Sequence, residues 1–170
     1  MSDSPASKLE VNDKFVAGMD AGGTKVSILD TISSNLHRFP APKYTDMYAV
    51  LEDYFKSVQA RPRKVVIAIG GLRDDETGDV QVTNVDWPIF SPGEAERRYP
   101  GTKFETVHDL AGTAAGAIYA SSMNLKQLKV GEAKANGPII AVTIGTGVGI
   151  CTVITDPKTK QRIFFSGEGG

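Results

Sequence analysis

The chain has 170 residues, 41% of them apolar, enough for one ordinary domain to bury a core without help from metals or disulfides. Nineteen basic against twenty acidic residues leave a formal net charge of −1, and no stretch gathers the Lys and Arg that nucleic acid or membrane binding requires, so small molecules or proteins are the expected partners. The lone cysteine, Cys151, excludes an intrachain disulfide and a cysteine-clustered metal site, and it suits a reducing, cytoplasmic setting.

Residues 1–12 are small and polar, without the positive start or apolar run of a secretory signal, and are expected to form a flexible leader. Strand patterns rich in β-branched residues follow at 15–19 and 26–29. Met47, Val50, Leu51, Tyr54, Phe55 and Val58 then recur at helical spacing and predict one apolar face between 45 and 58. Strands are expected at 65–69 and 79–82, and Ser91-Pro92-Gly93-Glu94 reads as a capped helix start with Pro in the first turn. A strand at 104–107 leads into 110–119, whose run of Ala, Gly and apolar residues predicts a closely packed, buried helix. Residues 126–138 are rich in Lys, Glu, Asn and Gly and mark a linker, after which strands are expected at 139–144, 150–154 and 162–165. No apolar run approaches the roughly 18–20 residues of a membrane span. The mixture predicts an α/β domain with a partly antiparallel sheet.

Two glycine-rich turns could carry chemistry. Asp20-Ala21-Gly22-Gly23-Thr24-Lys25 lies between two strands, where paired glycines let backbone amides approach an anion and Asp20 offers an oxygen donor for hydrated magnesium. An ordinary hairpin turn would use the same glycines for positive φ. Gly145-Thr146-Gly147-Val148-Gly149 has more glycine than a two-residue turn needs, and its amides could cradle a second face of the same phosphates. It has neither the Gly-Lys-Ser/Thr ending of a P-loop nor the G-x-G-x-x-G spacing, and a strand follows it, which argues against a dinucleotide fold. Asp109 stands where a strand meets a helix, able to cap that helix or to take a proton from a hydroxyl. Asn84 can serve a sugar hydroxyl or a loop, Glu168 a hydroxyl or a turn, and His108 is open. His37 has no partner evident in the sequence, and Cys151 and Phe164 read as core.

Taken in order, Gly18-Met19-Asp20-Ala21-Gly22-Gly23-Thr24, Val82-Thr83-Asn84 with Trp87, His108-Asp109, Gly145-Thr146-Gly147-Val148-Gly149 and Gly167-Glu168-Gly169-Gly170 resemble the sugar kinases of the actin-like ATPase superfamily. Within them the resemblance is nearest to bacterial-type glucokinases. It implies a mixed sheet with flanking helices of the actin-like ATPase (ribonuclease H-like) kind, with a small domain over 13–137 and the beginning of a large one over 138–170. It implies ATP and magnesium as cofactors, glucose as substrate, and Asp109 as the base that deprotonates the 6-hydroxyl. Asn84, His108, Asp109 and Glu168 then face the sugar, and Asp20, Gly22, Gly23, Thr24, Lys25, Gly145, Thr146 and Gly147 serve the phosphates, with Asp20 meeting the metal through water. Three features depart from the family pattern. His108 stands where an Asn usually precedes the base, Gly70-Gly71-Leu72-Arg73 replaces a Gly-Pro-type turn, and the rest of the large domain does not follow Gly170. The 170 residues alone are accordingly expected to be poorly active or inactive, and a homodimer through the remaining large domain is compatible with the resemblance. Two alternatives share these motifs: another hexose or N-acetylhexosamine kinase of the repressor-related sugar-kinase family, and a non-catalytic sugar- or partner-binding module.

Overall fold

The structure, a computed structural model, describes residues 6, 9–33, 35–120, 125–132, 137–144 and 148–168. The chain separates into two compact units, Met1–His108 and Asp109–Gly170.

In the first unit, strands β1 (Val11–Ala21), β2 (Lys25–Asp30) and β3 (Leu36–Pro40) run antiparallel to one another in sequence. A short 3-10 helix, Ala41–Lys43, and helix α1 (Met47–Ser57) lead to β4 (Arg61–Ile69). A small hairpin, β5 (Gly71–Arg73) with β6 (Val80–Val82), and helix α2 (Pro92–Arg98) precede β7 (Lys103–His108). The five-stranded sheet has the order β3-β2-β1-β4-β7, with β4 parallel to both β1 and β7.

Alternation along the strands gives this sheet one buried face. Phe15, Ala17, Met19 and Ala21 of β1, Val26 and Ile28 of β2, and Val65, Ile67 and Ile69 of β4 are all buried. Met47, Val50, Leu51, Tyr54 and Phe55 of α1 join the same core, as their spacing predicts. Asp46 caps α1 by accepting the Ala49 amide at 2.7 Å. Ser91 caps α2 by accepting the Glu94 amide at 3.4 Å, but the reciprocal half of the expected capping box is replaced. Glu94 pairs instead with Arg97 and Arg98, and the Ser91 amide donates to the Tyr48 hydroxyl at 3.0 Å.

The second unit places helix α3 (Asp109–Tyr119) on an antiparallel sheet of β8 (Ile139–Ile144), β9 (Val148–Thr155) and β10 (Arg162–Glu168), in the order β10-β9-β8. Leu110 and Ala114 bury against Cys151 and Val153, with Ile118, Ala141 and Phe164 at the margin. At Gly149 a Cβ would overlap the Leu110 methyls, so the absent side chain is what lets α3 sit down on β9. α3 is less buried than its composition predicts, because Thr113, Gly116 and Ala117 are exposed, as is Tyr119, whose ring carries the Arg162 guanidinium of β10 at 4.8 Å. The division into compact units follows this packing of α3. It is a different division from the domain boundary proposed at 137/138 on the composition of the preceding linker and the family resemblance. Among the described residues, no helix is long and apolar enough to cross a membrane.

Candidate active site

The parallel strands set the position of the first unit's chemistry. Register pairs Ala21 with Ile69 and Ile69 with His108, so β1, β4 and β7 end together at one edge of the sheet. Ligands of α/β sheets characteristically bind beyond the carboxyl ends of parallel strands. The turn Gly22–Thr24 leaves this edge from β1, and His108, half-buried, closes it at β7.

That turn is closed by an internal hydrogen bond. The Gly22 amide donates to the Lys25 carbonyl at 3.0 Å, so it is spent inside the turn. The Gly23 and Thr24 amides make no hydrogen bond among the described residues, and these two donors are the ones left for an anion. Thr24 and Lys25 are exposed, and the Thr24 carbonyl accepts the Ala41 amide at 3.1 Å. Asp20, exposed in β1 opposite Ser27 and Ala68, supplies the only carboxylate of the motif. A single hard oxygen beside a turn fits a magnesium ion held through water. Among the described residues, no three His, Cys, Asp or Glu side chains gather into a metal site.

Asn84 lies in the segment after β6, with its side chain exposed and without a hydrogen bond among the described residues. The segment is held from behind by Trp87, which is buried and whose indole N–H donates to the Tyr44 carbonyl at 2.9 Å. Gly23 brings Asn84 and the glycine turn together: a Cβ there would stand 2.6 Å from the Asn84 carbonyl oxygen and 2.9 Å from its Cβ. A shallow groove of about 440 Å³ on the β5–β6 hairpin, lined by Leu72, Arg73, Asp74 and Ile89 among others, includes none of the residues singled out for chemistry.

In the second unit Asp109 is the first residue of α3, and its Oδ1 accepts the Leu110 amide at 2.7 Å. The carboxylate therefore engages the helix start, where the N-terminal peptide dipoles favour negative charge. Capping and proton acceptance are not exclusive, since a carboxylate has two oxygens. Glu168 ends β10, its backbone paired with Gly149. Gly145, Thr146 and Gly147 lie outside the described residues.

Sequence reasoning did not foresee the Ala41–Tyr44 segment beneath both loops, because backbone carbonyls carry no sequence signal. Nor did it find the partner of His37, whose Nε2 lies 3.5 Å from Oδ2 of buried Asp30. Burial works against charge on Asp30, yet the Ser33 hydroxyl and the Ser33 and Ile32 amides outweigh it and hold this carboxyl below its ordinary range.

The same architecture recurs in solved structures. A glucokinase from an Antarctic psychrotroph matches with a TM-score of 0.80 at 24% identity, over 94% of this chain and 51% of that one. A ROK family protein from Streptococcus pneumoniae, solved in complex with sucrose, matches with a TM-score of 0.55 at 17% identity, over 82% of this chain and 46% of that one. The chain thus shares its mixed α/β fold with both of these proteins. The glucokinase family model matches residues 17–170, and the chain belongs to the glucokinase family. The glucokinase of Cupriavidus pinatubonensis is 32% identical over 161 residues, which is 89% of this chain and 45% of that protein. The Synechocystis glucokinase is 26% identical over 170 aligned residues, 89% of this chain and 47% of that protein. The chain spans about half the length of the curated relatives it matches.

Proposed function

We propose that the protein carrying this chain transfers the γ-phosphoryl group of ATP to the 6-hydroxyl of glucose. Membership of the glucokinase family over 17–170 supports the reaction class. The observation that carries the reading to particular residues is the turn after β1, where two amides without partners among the described residues follow an exposed carboxylate at the carboxyl edge of parallel strands.

In this reading the Gly23 and Thr24 amides, with Lys25, take phosphate oxygens, and Gly145, Thr146 and Gly147 serve them from the other glycine loop. Asp20 would hold a hydrated magnesium ion through water, and the ion would supply positive charge to the phosphates. Asn84, His108 and Glu168 hold sugar hydroxyls, so that the 6-hydroxyl is presented to Asp109. Asp109 accepts the hydroxyl proton as the sugar oxygen bonds to the γ-phosphorus and the bond to the ADP oxygen breaks. Phosphoryl transfer depends chiefly on alignment and charge stabilisation, to which a positioned base adds about 10²- to 10⁴-fold. A cytoplasmic site of action accords with ATP as donor.

The test is product regiochemistry in the longest natural product that contains residues 1–170. With ATP, magnesium and glucose labelled with carbon-13, the spectrum is expected to show phosphate on the 6-position alone. Phosphate on another hydroxyl, or a preference for N-acetylhexosamines, would contradict the assignment.

A further inference from the structure

We infer that Trp87 and Gly23 are positioning residues which clamp the Asn84 segment and the glycine turn into one rigid body. The inference rests on the reading of Asn84 as a sugar contact given above.

The clamp has two arms on a common bed. The bed is the 3-10 helix at Ala41–Lys43 with Tyr44, closed on itself by the Tyr44 amide donating to the Ala41 carbonyl at 3.0 Å, and Ala41 is fully buried. One arm is the bond from the Ala41 amide to the Thr24 carbonyl, which ties down the glycine turn. The other is the bond from the Trp87 indole to the Tyr44 carbonyl, which ties down the segment that begins at Thr83. Trp87 and Val82 are buried, so that segment is anchored at both ends while Asn84 between them stays exposed.

Gly23 closes the ring. Its Cα faces the Asn84 backbone so closely that an added methyl would meet a carbonyl oxygen, a carbonyl carbon and a Cβ, all within 3.3 Å. None of these atoms is the far end of a flexible side chain, so relief requires one loop to move away from the other. Two loops assigned to two different substrates are thus fixed in mutual register by one missing side chain and one indole hydrogen bond. Reactions that depend on alignment lose rate when such a register loosens, even though the Trp87 side chain touches neither substrate.

The two positioning residues predict different signatures. Trp87→Phe keeps an aromatic filler but removes the donor, so the glucose KM should rise about three- to tenfold, the scale of one hydrogen bond, with the ATP KM unchanged. Gly23→Ala pushes the loops apart and should raise both KM values. Amide hydrogen exchange in residues 83–87 of both variants should quicken by a similar factor, while exchange in α1 and β4 stays as in the parent. Kinetics use the longest natural product containing residues 1–170, and exchange can also be read on the 170 residues alone. Unchanged exchange at 83–87 in both variants, or quickened exchange throughout the unit, overturns the clamp. Asn84→Ala separates the two ideas: an unaltered glucose KM there refutes Asn84 as a sugar contact, whereas the exchange data judge the clamp without reference to any ligand.

Discussion

The five-stranded unit and the three-stranded unit bury their apolar residues to different extents. In the first, α1 and α2 contribute to a core that includes Tyr54, Phe55, Ile28, Ile67 and Val65, each 0% exposed. In the second, α3 packs on one face of the sheet, and among the described residues of the other face Ile140 is 63%, Val142 53%, Ile144 85% and Phe165 55% exposed. Strict alternation explains how one short sheet can be half core and half surface, since successive side chains point to opposite faces. The lesson is that the part holding the glycine turn and Asn84 rests on a large core, whereas among the described residues the part beginning at Asp109 has a small apolar cluster of Leu110, Ala114, Cys151 and Val153.

That contrast can be broken most forcefully in the cores themselves. Phe55→Ala should cost about 3–5 kcal/mol and unfold the first unit under mild denaturant, and Leu110→Ala should cost about 2–5 kcal/mol. The informative readout is where amide exchange rises. Leu110→Ala is expected to release β8–β10 while leaving β1 and β4 protected, and release of both sheets would show that the units do not fold separately.

A smaller effect should appear with acid. Asp30 has its carboxyl held below the ordinary value, so its stabilising contribution is complete above the unfolded-state value, near pH 4, and is lost as pH falls through the lower native one. Thermal melts between pH 6 and pH 2 should therefore steepen at the acid end, and Asp30→Asn should lower Tm at neutral pH and flatten that acid limb. A limb unaltered by the substitution would remove Asp30 from the account.

The smallest change sharpens the contrast from the open face. Ile140→Lys places charge where the side chain is already mostly exposed, so stability should shift by no more than about 0.5 kcal/mol. Contiguous apolar surface promotes association, so light scattering from the variant should fall. A loss of several kcal/mol would mean that this face is covered.

Much of this organisation could be read from residue order. The helical spacing of Met47 to Val58, the Pro and Ser at the start of α2, and the β-branched runs all located their elements within a few residues. β3 escaped because Leu36-His37-Arg38-Phe39-Pro40 is short, charged and at the sheet edge, where alternation need not be apolar. β5 escaped because a three-residue strand carries too little pattern. The glycine turn was legible as a turn, but its internal bond from Gly22 to Lys25, which decides which amides remain for an anion, depends on three-dimensional closure. Trp87 was visible as a landmark, yet its role was hidden because its partner is a carbonyl 43 positions away.

The role proposed for Asp109 is that of the base in a glucose kinase. It is tested most directly by glucose-dependent ADP release from the longest natural product containing residues 1–170, parent and Asp109→Asn side by side, with circular dichroism as the control for folding. Asn can still accept the Leu110 amide, so α3 should keep its start and the spectra should coincide. The account predicts ADP release from the parent and a loss of about 10²- to 10⁴-fold in the variant. Turnover retained by a folded Asp109→Asn protein would contradict it.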